Sequence, residues 1–178
     1  MKSIQLAHGS GGLAMQQLID GLFMKAFANP WLAEQEDQAR LSLASLTAQG
    51  DRLAFSTDSY VIDPLFFPGG NIGKLAICGT ANDVAVSGAV PRYLSCGFII
   101  EEGLPMETLE AVVNSMAETA KAADIAIVTG DTKVVGRGAA DKLFINTAGM
   151  GAIPSDIHWG AATLTPGDLL IVSEIGRA

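Results

Sequence analysis

The sequence predicts an α+β fold rather than a doubly wound sheet. Three features carry this. Helix-spaced and strand-like segments are mixed along the 178 residues, strands follow one another in hairpin-like pairs, and no regular strand–helix–strand alternation runs through them.

Taken in order, His8-Gly9-Ser10-Gly11-Gly12 is a glycine-rich loop before a helical pattern in which Met15, Leu18, Ile19, Leu22 and Ala26 recur. Asn29-Pro30 ends that helix. Glu34, Glu36 and Asp37 form a solvated acidic run. Apolar and β-branched residues from Arg52 to Ile62 predict a strand, closed by Asp63-Pro64. Pro68-Gly69-Gly70-Asn71 is a turn before a largely apolar helix, Ile72 to Ser87. Pro91 opens a strand, Tyr93 to Ile100. Pro105 suits the first position of the next helix, Glu107 and Glu110 favour its positive end, and Leu109, Val112, Val113, Met116 and Ala120 form its buried stripe. Ile125 to Val128 is a short strand running into Thr129-Gly130-Asp131-Thr132-Lys133. Leu143 to Gly151 is another, and after a turn at Thr165–Asp168 a last strand is expected from Leu169 to Ser173.

Nearly half the residues are apolar and mean hydropathy is +0.33, enough for a sizeable core filled by aliphatic side chains. A net charge of −8 repels phosphate backbones, so nucleic acid is not an expected partner. A nucleotide remains compatible if a divalent cation bridges carboxylates and phosphates. No run reaches the length of a spanning helix, and the N-terminus lacks a signal-peptide core, so no membrane association and a cytoplasmic location are expected. Cys78 and Cys96 have neither metal-site nor CxxC spacing and read as small core residues.

Three aspartates stand out by their neighbours: Asp58 after an apolar strand, Asp83 inside an apolar helix, and Asp131 at a strand end. Each has a plain reading: bonding turn amides, capping a helix, or forming an Asx-turn. Beside glycines, the three also suggest a Mg²⁺ site holding phosphates. The loop at His8–Gly12 offers backbone N–H groups before a helix, yet matches neither a Walker nor a Rossmann pattern. As a motif on its own it is weak, and a flexible lead-in is the better explanation of it. Lys133 either contacts phosphate or is merely solvated.

Together, four ordered segments resemble the HypE family of hydrogenase-maturation proteins. They are His8–Gly12, Asp58-Ser59-Tyr60-Val61-Ile62-Asp63-Pro64 through Lys74, Gly79-Thr80-Ala81-Asn82-Asp83 through Ala89, and Gly130-Asp131-Thr132-Lys133-Val134-Val135. The family belongs to a superfamily with aminoimidazole ribonucleotide synthetase, selenophosphate synthetase and thiamine-monophosphate kinase. The resemblance implies a mixed or antiparallel sheet with helices on one face, dimerising into a β-barrel. It implies ATP with Mg²⁺ held by Asp58, Asp83 and Asp131. Gly9, Ser10, Gly11, Asn82 and Thr132 would complete the nucleotide site, and Lys133 would lie near the reacting group. It further implies that a C-terminal cysteine is carbamoylated by the carbamoyltransferase HypF. ATP-dependent dehydration then yields a thiocyanate, whose cyanide reaches the [NiFe] centre through HypC–HypD.

On this resemblance residues 1–160 form the ATP-binding, dimerising domain and 161–178 begin a second one. Only Ile175-Gly176 matches the segment expected next, and the cysteine tail is absent, so this chain is expected to be inactive alone. A selenophosphate synthetase is disfavoured because the first glycine loop carries Ser10 and no cysteine. A non-catalytic dimerisation and docking module is the rival of another class.

Overall fold

The computed structural model describes residues 3–171. Strands β1 (Arg52–Tyr60), β4 (Val90–Glu101), β5 (Ala126–Val135) and β6 (Leu143–Ile153) form one sheet, ordered β1-β6-β4-β5. β6 is antiparallel to both β1 and β4, and β5 runs parallel to β4. The expected α+β class with a mixed sheet is therefore present. A two-residue pair, β2 (Phe66–Phe67) and β3 (Gly70–Asn71), flanks the expected turn.

Helices α4 (Ile72–Ala85) and α5 (Met106–Ala122) pack on one face of this sheet. Asn71 starts α4 by accepting the Lys74 N–H at 3.0 Å. The two helices touch at Gly73, where an added Cβ would stand 2.6 Å from the Val112 carbonyl oxygen. The predicted stripe of α5 is buried in full: Leu109, Val112, Val113, Met116 and Ala120. It meets Leu94, Cys96, Phe98 and Ile100 of β4 and Leu143 and Ile145 of β6 in one apolar cluster. On the opposite face Leu53, Phe55, Val90 and Ile99 stand exposed. No helix among the described residues is long and apolar enough to cross a membrane.

Several elements differ from expectation. The first helix is continuous in path but not in period: α1 (Leu13–Leu18), a π-turn (Ile19–Phe23) and α2 (Met24–Ala26). The wider turn rotates the buried face, so Phe23 and Phe27 join the core, which a 3.6-residue period does not pick out. A short helix, α3 (Leu43–Thr47), capped by Ser42, goes unsignalled in the sequence. Pro105 is the N-cap of α5, one place before the position expected, because its carbonyl accepts the first helical bonds from Thr108 and Leu109. β5 is much longer than four residues, for its polar half keeps pairing with β4. Leu169–Ile171 of the expected last strand are irregular and open to solvent, with no strand beside them among the described residues, although the turn before them forms. Val172 and Ser173, like Ile175 and Gly176, lie outside the described residues.

Candidate functional site

Side chains alternate across a strand, so the register assigns each candidate a face. Asp58 pairs with Thr147, whose hydroxyl points inward to the Ala76 carbonyl, so Asp58 lies on the helix-covered side of edge strand β1. Ser56, two residues earlier on that face, donates from Oγ to Asp83 Oδ2 on α4 at 3.1 Å. Asp58 and Asp83 thus share one corner, where the end of α4 overhangs β1. The sequence had suggested that Asp83 was sunk in an apolar helix; it is exposed, as are Asn82 and Asp58. Only part of each helix turn is apolar-covered, and α4 presents Asn82 and Asp83 beyond the edge of the sheet. Asp58 also accepts the Ser59 N–H at 2.7 Å.

Asp131 is elsewhere. It pairs with Gly97 in mid-strand rather than ending β5, and faces the uncovered side. β1 and β5 are the two edges of the sheet, three strand spacings or about 14 Å apart. One cation within one chain cannot take both Asp58 and Asp131. Among the described residues no group of three or more His, Cys, Asp or Glu side chains converges. Asp58 and Asp83 remain a fit for Mg²⁺, which takes one or two carboxylates and fills its other positions with water and phosphate oxygens.

Around Asp131 a second group assembles. Its Oδ1 accepts from Lys133 Nζ and from the Thr132 N–H, both at 2.9 Å. The glycine loop leans on the same strand, and a Cβ on Gly9 would stand 2.7 Å from the Val134 nitrogen. Ser10 and Gly11 are exposed beside it, with the Gly11 N–H directed at Met15 Sδ. Thr132 points the other way. It is buried and lines a cavity of about 280 Å³ with Met15, Phe23, Cys96 and Phe98. Cys96 is fully buried and desolvation pushes its thiol far up, which makes it inert. Cys78 is half-buried rather than in the core.

Residues 35–153 match the family described as AIR synthase related protein, N-terminal domain. The chain belongs to this family. It is 86% identical over 97% of its length to carbamoyl dehydratase HypE of Escherichia coli K12, and covers 52% of that protein. The chain spans about half the length of the curated relatives it matches. It superposes on a crystal structure of E. coli HypE with a TM-score of 0.83 and 87% identity, covering 86% of this chain and 48% of that one. A HypE solved in complex with ATP gives 0.80 at 58% identity, over 85% and 43% of the two chains. A HypE from a HypE–HypF complex gives 0.57 at 49%, over 76% and 42%.

Within this AIR synthase-related domain, sequence reading singled out the aspartates but not Ser56, whose link to Asp83 spans 27 positions. It also missed Asn146, which donates to the Asp58 carbonyl at 3.0 Å and Ser59 Oγ at 2.9 Å and so pins β1 to β6. Nothing in a single asparagine on an apolar strand announces that role.

Proposed function

We propose that this chain supplies the nucleotide-binding half of an ATP-dependent carbamoyl dehydratase acting in hydrogenase maturation. The observation that carries the reading is the corner at which Ser56 draws Asp83 to Asp58: hard oxygen donors, solvent-open, at the lip of a sheet. Asp58 and Asp83 hold Mg²⁺, and Asn82 lies beside them for the nucleotide. The Gly9–Gly11 loop would meet phosphate, the Gly11 N–H exchanging its contact with Met15 Sδ to do so, while Asp131, Thr132 and Lys133 flank it on β5.

These two groups occupy opposite edges of one sheet, which favours a homodimer. Open edges and an uncovered apolar face are what a second copy would close, as in a two-sheet barrel. β5 of one copy would then lie beside β1 of the other, bringing the edge that carries Asp131 next to the edge that carries Asp58. When bound, Mg-ATP provides phosphoryl activation of a thiocarboxamide oxygen, whose loss as phosphate leaves a thiocyanate. The chain's part is to hold the phosphates, neutralise their charge and present Lys133 to the reacting group.

The carbamoyl donor would be HypF and the cyanide acceptor a HypC–HypD complex, all in the cytoplasm. Neither cysteine here suits the role of acceptor: Cys96 is buried in β4 and Cys78 is part of α4. This chain alone would therefore bind Mg-ATP without turnover. Calorimetry tests the assignment. Asp83→Asn should weaken Mg-ATP binding at least tenfold, whereas Glu110→Gln, on the exposed side of α5, should leave it unchanged. Equal effects would remove the metal role.

A further inference from the structure

Behind the Asp58–Asp83 corner runs a buried chain of hydroxyls. Tyr60 Oη lies 3.1 Å from Thr80 Oγ1, Thr80 Oγ1 lies 2.6 Å from Thr147 Oγ1, and Thr147 Oγ1 donates to the Ala76 carbonyl at 3.0 Å. The chain joins β1, α4 and β6, and its three residues are all buried.

Its direction follows from hydrogen counting. A hydroxyl has one hydrogen to donate. Thr147 gives its hydrogen to Ala76, so it must accept from Thr80. Thr80 has then used its own and must accept from Tyr60. The phenolic hydrogen is thus directed inward to Thr80, and Asp58 lies two residues away on the same face of β1. Gly79 makes the contact possible: a Cβ there would stand 2.3 Å from Tyr60 Oη but no closer than 3.1 Å to the ring carbons. Thr80 in turn sits three residues before Asp83, on a shared helix face. The hydroxyl chain therefore ties the strand that carries Asp58 to the helix that carries Asp83.

We infer that Tyr60, with Gly79 and Thr80, is a positioning residue that sets the spacing of Asp58 and Asp83 for a divalent cation. This rests on the cation site proposed above. Tyr60 touches neither nucleotide nor metal; it acts through the two carboxylates.

The probe is Mn²⁺ alone, titrated into the whole 178-residue chain by electron paramagnetic resonance, with thermal melting alongside. Tyr60→Phe keeps the ring and removes the hydroxyl. It should weaken Mn²⁺ binding about tenfold, the lower end of what losing an outer-shell partner costs a metal site. Val113→Ala, a core change on α5, should lower the melting temperature without altering Mn²⁺ affinity. Gly79→Ala should lower the melting temperature strongly in the unsubstituted chain and less in Tyr60→Phe, since the hydroxyl is the severest of the methyl group's clashes, at 2.3 Å against 3.1 Å for the ring carbons. If the unsubstituted chain takes up no Mn²⁺, the cation site falls and the positioning role with it. If it does so and Tyr60→Phe binds Mn²⁺ equally well, the positioning role alone is overturned. Equal melting losses for Gly79→Ala in both backgrounds would overturn the contact on which it is built.

Discussion

Self-association through the uncovered face of the sheet can be tested at Phe55. This side chain is 63% exposed on β1, opposite Met150 of β6 on the face away from α4. Full burial of a phenylalanine contributes about 1.5–3 kcal/mol, so covering the exposed part is worth roughly 1–2 kcal/mol. A two-fold interface uses the same patch on both copies, so each substitution counts twice. Phe55→Ala should then cost about 2–4 kcal/mol of dimer stability, or about one and a half to three orders of magnitude in Kd at 1.4 kcal/mol per decade. Monomer stability should change little, because Phe55 contributes little to the single-chain core. Val86→Ala is the control: Val86 is even more exposed, at 75%, but follows α4 on the helix side. Sedimentation velocity over a concentration series reads both. A chain that stays monomeric at micromolar concentration refutes the interface. So does a dimer that Val86→Ala weakens as much as Phe55→Ala does.

Three further outcomes follow from the packing and the titrations. Gly73→Ala should destabilise the chain: its methyl group meets the Val112 carbonyl oxygen at 2.6 Å, and the overpacking cost of about 1–3 kcal/mol outweighs the roughly 1 kcal/mol that alanine gains over glycine in a helix. Thermal melting shows the sign, and a rise in melting temperature would mean that α4 and α5 do not cross there. Glu101 accepts the N–H groups of Gly138 at 2.6 Å and Lys142 at 3.0 Å, which hold its carboxyl below the usual carboxylate range. A depressed folded value means the contribution is present above the unfolded value of about 4.3 and fades as pH falls through the folded one. The melting difference between the chain and Glu101→Gln should therefore shrink on acidification below about pH 4.3, and a constant difference would contradict the assignment. Iodoacetamide should label Cys78 in the native chain and spare Cys96 until unfolding, since Cys78 is partly exposed whereas Cys96 is buried with its thiol pushed up. Mass spectrometry showing the reverse order would place Cys96 at the surface.

Local patterns in the sequence determined the elements whose signals are short in range. The α5 stripe, the Asn71 turn into α4, and the strands at Arg52, Tyr93 and Leu143 were all legible, because each depends on side-chain period or on neighbours a few residues apart. The resemblance carried by the four glycine- and aspartate-rich segments was legible too. The sequence could not show how strands separated by a helix or a long connection lie beside each other. The order β1-β6-β4-β5 puts Asp58 and Asp131 on opposite edges, and linear spacing is silent on that. The π-turn at Ile19–Phe23 changed which residues face the core, as tertiary packing overrode the regular helical period. Ser56, Tyr60, Thr80, Asn146 and Thr147 acquired their roles only through contacts that link distant segments. A hydroxyl has no sequence signature of its own, because what it does depends on which donor or acceptor the fold brings within about 3 Å.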